Sequence, residues 1–431
     1  MQRAGTLFLL TLISFVGALI SKRPKSQDVL FNISYLLAVL LLISFFWTWI
    51  NIRTIRLARI TRARRAQVGR SMEERFAVTN TSFIPKLWLE VRDHSDLPGH
   101  CASHVVKGLR GKGRFGWRVN TLCLRRGRYT LGPITLTSGD PFGFFQIQRE
   151  LTPTSHVVVY PMTVEIARFA LPVGILPGGD ALRRRTHYTT ANAAGVRDYS
   201  PGDSFNRIHW RSTARRNRLI VKEFELDPLA DIWLFPDMCQ AVQWAAPDRD
   251  ESNTAADRPL HWARPEKHRL DPSTEEYIVT VAASLAQYFL RRDRAVGMIT
   301  YAQEREAIQA DRGERQLNKI LETLAVGRGL GQIPIDHLLY AEIDQLPRGT
   351  TLILITSTTD ELIVSLAHHL ERRGVRVMVV LVDPASFGPY PSAQGVASML
   401  RAAGMPTYVV RRDDALEEVL SQRVGPQHYF K

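Results

Sequence analysis

Cysteine is scarce in this sequence. The 431 residues hold three, Cys101, Cys123 and Cys239. An odd and sparse set excludes a disulfide framework and shows no metal-type spacing; it reads as reduced and buried thiols, although Cys101 and Cys123 are able to pair. A Walker A sequence is absent, and Gly327-Arg-Gly-Leu-Gly331 is a loop signal, not a phosphate fingerprint. Acidic residues are outnumbered, 42 Asp and Glu against 56 Lys and Arg, for a formal charge of +14. Such an excess suits nucleic acid, anionic lipid or an acidic protein partner.

Long apolar runs are present, and both lie near the amino end. Gly5 to Ile20 sits at the short end of spanning length, and Val29 to Ile50 is longer. A span needs ~20 apolar residues, so both are expected to cross a membrane. A cleaved signal peptide competes for the first run, but Lys22-Arg-Pro-Lys25 is a poor cleavage context. Trp47 and Trp49 fall where an interfacial aromatic belt belongs. Arg53, Arg56, Arg59, Arg62, Arg64, Arg65 and Arg70 come after the second run. The side denser in arginine is expected to be cytoplasmic, which gives a hairpin with both termini inside and the basic run against anionic headgroups.

From Val68 to Pro161 the pattern is strand-like. Arg75 to Asn80, Lys86 to Arg92, Ala102 to Val106, Gly116 to Leu124 and Tyr129 to Leu136 alternate with period two, separated by turn residues. A small antiparallel β-sandwich is expected. Asp140-Pro-Phe-Gly-Phe-Phe145 reads as an aromatic turn packed in the core, and His100, Cys101 and His104 as an incidental cluster, with neither the ligand count nor the acidic partner that chemistry needs. From Asp231 apolar strands alternate with amphipathic helices, from Ile232-Trp-Leu-Phe235 to a closing helix over Asp414 to Ser421. That alternation implies a parallel sheet covered on both faces. Ala246 to Pro272 interrupts it with an insertion rich in Pro, Asp, Arg and Asn, expected to be mobile.

Between these halves lies the densest stretch, Gly195 to Glu225. Ser200-Pro201-Gly202-Asp203 has the chemistry of a tight turn, with Asp203 able to cap a helix starting just downstream. Ser204 to Asn217 is helix-compatible, with Arg207, Arg211 and Arg215 recurring every fourth residue, and Leu219 to Glu225 resembles a strand. Two readings stand side by side. Asp198, Asp203, Glu223 and Glu225 pair internally with Arg197, Arg207, Arg211 and Lys222; or the arginines and Trp210 bind an acidic partner.

This stretch resembles the signature of the domain-of-unknown-function 58 family, through Gly195, Arg197, Tyr199, Pro201, Gly202, Asp203, Arg207, Ile208, His209, Trp210, Ala214 and Glu223. Many members carry Asp or Glu where His209 stands and Lys where Arg211 stands. The resemblance implies a protein of the bacterial inner membrane, with its soluble domains cytoplasmic. It also implies a β-domain with an element like Asp140-Pro-Phe-Gly143, and a C-terminal von Willebrand factor A-like domain of Rossmann type. A MoxR-type AAA+ ATPase is the implied partner, with transglutaminase-like membrane proteins as associates. The expected layout is a transmembrane hairpin with its basic flank over 1–66, a sandwich over 67–165, a connector with the signature over 166–228, and the α/β domain over 229–431. Domains of that last type often hold Mg²⁺ on Asp-x-Ser-x-Ser. Here the position reads Asp237, Cys239 and Ala241, and the later Asp360 is displaced, so a degenerate site with weak or no Mg²⁺ binding is expected. No other cofactor and no catalysis are expected. The residues assigned to recognition are Arg197, Tyr199, Pro201, Gly202, Asp203, Arg207, His209, Trp210, Arg211 and Glu223. A nucleic-acid-binding membrane protein and a cysteine hydrolase using Cys101 or Cys239 are the rival functions; the lipid bilayer is an expected contact and nucleic acid is not.

Overall fold

A computed structural model describes residues 2–21, 23–61, 64–152, 154–169, 193–200, 208–224, 231–245, 270–343, 346–347 and 349–422. It divides into two compact units, one built mainly on Met1–Met162, the other on Thr163–Arg249, Arg269–Thr323 and Gly327–Lys431. The first unit opens with two helices, α1 (Gln2–Ile20) and α2 (Pro24–Arg53). Pro24 stands in the first turn of α2, where its missing N–H is no loss. The helices pack as a hairpin: Ser14 Oγ donates to the Leu30 carbonyl at 2.9 Å, and Phe15 meets Phe31 edge-on at 5.8 Å. α2 is long and apolar enough to cross a membrane, while Gly5–Ile20 is a shorter apolar helix. Phe8, Leu36, Phe46 and most of their neighbours are exposed, the pattern of helices meant for an apolar surrounding. One stripe of α2, Ser44, Thr48, Asn51 and Ile52, is buried.

Ten strands come next: β1 (Ile55–Thr61), β2 (Arg65–Gln67), β3 (Ser71–Asn80), β4 (Lys86–Asp93), β5 (His104–Leu109), β6 (Arg114–Leu122), β7 (Gly127–Leu131), β8 (Ile134–Gly139), β9 (Gln146–Leu151) and β10 (Ser155–Tyr160). They form sheets ordered β1-β3-β6, β5-β4-β8-β9 and β2-β10-β7, antiparallel except for the β2–β10 pair. Phe76, Val78, Leu89, Val91, Val106 and Leu136 share one core; Val68, Met72, Cys123, Leu131, Val157 and Val159 share a second. Alternation explains which side chains turn inward. The run Tyr129 to Leu136, expected as one strand, is two in different sheets. Gly132 takes a positive φ of 98°, and Pro133 has no N–H for a ladder, so the chain breaks there.

The basic flank also differs from expectation. The sandwich begins at Ile55, inside the 1–66 range, because Ile55, Leu57 and Arg59 alternate inward along β1. Arg59, expected at headgroups, instead faces into the sandwich. Its guanidinium lies 2.9 Å from Glu74 and 3.2 Å from Asp93, with both carboxylates buried. His100, 1% exposed, completes the cluster: its Nε2 is 2.9 Å from Asp93 Oδ2 and its Nδ1 is 2.7 Å from Thr121 Oγ1. Burial pushes the Asp93 carboxyl up, but His100, Ser95 and Arg59 more than reverse it and hold it below the usual carboxylate range. His104 stacks against both Phe115 and Trp117, at 5.5 and 5.1 Å, and those two rings also touch each other at 6.1 Å.

The aromatic turn is only half a core element. Asp140 is buried, with Oδ2 accepting from Phe142 N at 2.9 Å and Oδ1 from Phe145 N at 2.6 Å. Phe145 reaches Phe45 of α2 at 5.8 Å. Phe142, however, is exposed, and stacks only on half-buried Phe144. The turn bonds the N–H groups of Phe142 and Phe145 to its own Asp140 and leaves the Phe142 ring outside.

In the second unit, β11 (Ala193–Asp198), α3 (Trp210–Arg216) and β12 (Ile220–Phe224) come first, β11 and β12 pairing antiparallel. Then come β13 (Ile232–Pro236), α4 (Thr274–Leu290), β14 (Val296–Tyr301), β15 (Arg305–Asp311), α5 (Glu314–Val326), α6 (Ile335–Glu342), β16 (Thr351–Thr356), α7 (Leu362–Arg372), β17 (Arg376–Val382), α8 (Gln394–Ala402), β18 (Thr407–Val410) and α9 (Leu416–Val419). The sheet order is β15-β14-β13-β16-β17-β18, with β15 alone antiparallel. The sheet is therefore mixed rather than parallel throughout. β15 escapes sequence reading because Arg305-Glu-Ala-Ile-Gln-Ala-Asp311 is polar, as suits an exposed edge. The central strands β13 and β16 are buried at every position, as strands covered on both faces must be. Residues just ahead of this unit's sheet are tied to it: Val164 N donates to Ser284 Oγ and Phe169 N to Tyr288 Oη, each at 3.0 Å, and Phe169 stacks on Tyr408.

Candidate functional site

Two places in the second unit carry the sequence-predicted residues. The first is the signature. His209 stands before α3 as its cap, where its Nδ1 accepts from Ser212 N at 3.2 Å and lies 2.7 Å from Ser212 Oγ. Asn217 closes the helix in the left-handed conformation, φ 53°, with its N–H on Thr213 O. Thr213 Oγ1 then accepts from Ile220 N at 3.1 Å, and His209 N donates to Ile220 O at 2.8 Å, so helix and strand are sewn by backbone and caps. Tyr199 N donates to Leu219 O at 2.9 Å.

These bonds hold a helix that buries none of its side chains. Trp210 is 67% exposed, and Arg211, Arg215 and Arg216 stand out beside it. Among the described residues these three arginines have no ion pair; Arg218 pairs with Asp198 at 2.9 Å, with both side chains largely exposed. Arg197 and Glu223 sit on β11 and β12, paired with Val221 and Gly195. Pro201, Gly202, Asp203 and Arg207 lie outside the described residues, as do the insertion over 246–269 and Glu225. The structure thus brings His209, Trp210 and Arg211 together on one capped turn and holds Tyr199 to the strand beside it. The capping roles of Ser212 and Thr213 were missed, though hydroxyls in a first helical turn are the usual signal.

The second place is the end of the sheet where strand order reverses, between β13 and β16. Open α/β sheets bind ligands in the crevice outside the carboxyl ends of such strands. Here a crevice of about 290 Å³ is lined by Asp237, Cys239, Trp244, Asp336, Ser357 and Asp360 among others. Asp237 leaves the end of β13. Its Oδ2 accepts from Thr356 Oγ1 at 2.6 Å and its Oδ1 from Cys239 N at 3.0 Å. Burial pushes its carboxyl up to about 6; those two hydrogen bonds oppose the rise and nearby Asp336 adds to it. Ser357 Oγ donates to Val242 O, and Asp360 accepts from Leu362 N at 2.9 Å, steadying the start of α7. Gly331 pairs with Cys239 beside the crevice: a Cβ there would meet Tyr301 O at 2.2 Å, so only glycine fits. Asp336, on the first turn of α6, was not foreseen; the hydroxyl-rich run Thr356 to Asp360 after a buried strand was the legible part.

The thiols are separated. Cys123 and Cys239 are buried, and burial raises both, Cys123 to about 11. Cys101 is exposed, against the expectation of a buried thiol, because it lies in the loop before β5. The ring nitrogens of neighbouring His100 are engaged by Asp93 and Thr121.

A family model described as "Protein of unknown function DUF58" matches residues 195–258. The signature stretch of this chain is thus similar to the DUF58 family. A distant relative, the uncharacterized protein YeaD of Bacillus subtilis (strain 168), is 23% identical over 261 residues, 59% of this chain and 56% of that protein. The chain therefore spans little more than half the length of that relative. Among solved structures, the CARDB domain of the PF1109 protein from Pyrococcus furiosus matches 24% of this chain and 91% of its own, at 18% identity and a TM-score of 0.18. Proximal thread matrix protein 1 from the mussel byssus matches 40% of this chain and 46% of its own, at 13% identity and a TM-score of 0.24.

Proposed function

We propose that this DUF58-family chain is a membrane-anchored adaptor without catalysis of its own. α1 and α2 would both cross the bacterial inner membrane, with the soluble units on the cytoplasmic side. The α/β unit is read as von Willebrand factor A-like, a reading supported by its strand order around the β13–β16 switch point. The partner inferred from the family resemblance is a MoxR-type AAA+ ATPase acting on envelope protein complexes. The observation that carries the adaptor reading is α3: a helix held by caps and backbone hydrogen bonds to β12, which buries no side chain and turns Trp210, Arg211, Arg215 and Arg216 to solvent. Guanidinium groups beside an indole suit a carboxylate-bearing protein surface.

The switch-point crevice is read as working without tightly held Mg²⁺. Each oxygen of Asp237 already accepts a protein hydrogen bond, and a thiol and a methyl, Cys239 and Ala241, take the places of hydroxyl ligands. The test of the adaptor reading is site-specific photo-crosslinking in native membranes, with the reactive residue at Arg211 and, separately, at Asp360. Crosslinking of an AAA+ ATPase from position 211 is the expected result. Crosslinking from position 360 alone would move recognition to the crevice, and nucleic acid at position 211 would replace the adaptor reading.

A further inference from the structure

The sandwich has an end that is built unlike the rest of its surface. Helix α2 leaves the first unit there. Thr81, after β3, donates both its N–H and its hydroxyl to Thr54 O at 2.8 Å, so the loop from Thr81 to Pro85 is level with the end of α2. Phe83 in that loop is 79% exposed, and the Lys112 ammonium sits 4.0 Å over its ring. Lys112 N is bonded to Ser82 O at 2.8 Å, which brings the β5–β6 turn, with exposed Arg110 and Arg114, to the same end. The aromatic turn goes further down. Asn51 Nδ2 donates to Gly139 O at 3.2 Å, and Phe145 meets Phe45. At 1.5 Å per residue, Phe45 lies about 7.5 Å inside the apolar run that ends at Ile50. Exposed Phe142 and half-buried Phe144 extend from this turn, 52% of Phe142 facing outward. Arg53 covers the Trp49 ring at 4.3 Å on the helix itself.

We propose that this end of the sandwich is seated in the membrane. Phe142 and Phe144 enter the interfacial layer of an anionic phospholipid bilayer, Phe83 rests at its surface, and Arg53, Arg110 and Lys112 bind lipid phosphates. Exposed aromatic side chains at the depth of a helix's apolar run have bilayer, not water, beside them once that helix spans. The cations ring them at the headgroup level, where anionic lipid attracts them most. The Asp140 carboxylate takes up the N–H groups of Phe142 and Phe145, which lowers the cost of moving that part of the turn out of water. The proposal rests on the reading of α2 as a membrane span.

The test uses the full chain in lipid nanodiscs, in a Cys101→Ser background, with an environment-sensitive fluorophore at Phe142→Cys, Phe83→Cys or His94→Cys, the last in the loop after β4. The expected result is a blue-shifted emission at 142, quenched several-fold more by a spin-labelled lipid than the label at 94, with 83 intermediate. Arg110→Glu/Lys112→Glu is expected to weaken lipid quenching at 83 in anionic discs only. A chain that stays with the disc while all three labels answer to a water-soluble quencher would overturn the seated end and leave the anchor standing. A chain that does not stay with the disc would overturn the anchor, and the seated end with it. Equal lipid quenching at 83 in anionic and zwitterionic discs, unchanged by the double variant, would overturn the phosphate contacts.

Discussion

Asp93 and Asp237 are both buried carboxylates at strand ends, yet they are held in opposite directions. Asp93 lies among Arg59, His100 and Ser95 and is held below the ordinary range. Asp237 has a hydroxyl and one backbone N–H, with Asp336 near, and rises to about 6. Burial alone raises a carboxyl, and only a charged partner reverses the sign. The difference separates their roles. The sandwich cluster ties β1, β3 and β4 together with its charges compensated, whereas Asp237 is an uncompensated carboxyl facing a crevice, the kind of group that marks a binding place.

Removing the compensation should give the largest effect. Arg59→Met leaves Glu74 and Asp93 buried together and is expected to cost about 3–5 kcal/mol in calorimetric unfolding of the solubilised chain. A loss as small as that of an exposed arginine would show that the cluster is not a structural tie.

Asp237 sharpens the other side of the comparison. Its folded pKa is raised, so its protonated form adds stability below the unfolded value of 3.8, and that contribution is lost as pH rises through about 6. Asp237→Asn should therefore gain on the wild type between about pH 4 and pH 7, by about 3 kcal/mol from the size of the rise. A difference that does not change with pH would mean the carboxyl is compensated after all.

Lys86 repeats the contrast with a cation. It is 1% exposed, its Nζ has no hydrogen-bond partner among the described residues, and burial lowers its pKa. A lowered lysine adds stability above its unfolded value of 10.5 and loses it as pH falls through the folded value, so at neutral pH it is a cost. Lys86→Met is expected to raise stability by about 1 kcal/mol at neutral pH, with the gain shrinking in alkali. A destabilised variant would reveal a partner for the ammonium.

The smallest stability effect belongs to α3. Trp210→Ala/Arg211→Glu should shift unfolding by no more than about 0.5 kcal/mol, since neither side chain is buried. A large loss would make the signature a structural lock.

The sequence read best where periodicity had a single cause. The apolar length of α2, the fully buried β13 and β16, and β17, buried at all but its first residue, were plain from composition. It failed where a residue served two ends. Arg59 belongs by position to the basic run after α2, but by alternation to the inside of β1. Phe142 belongs by composition to a core, but Asp140 draws the turn's N–H groups inward and leaves that ring outside. Of the site, Asp237 and the hydroxyl run after β16 were legible as a motif. Asp336 was not, because only the chain reversal before α6 brings it to the crevice. In the signature the residues were evident, but the fact that their helix buries nothing is a property of the fold.

The most direct test is co-purification from native membranes of the wild-type chain beside the Trp210→Ala/Arg211→Glu variant, matched for unfolding temperature. The adaptor account predicts an AAA+ ATPase retained by the wild type and lost from the variant. Equal retention by both would contradict it.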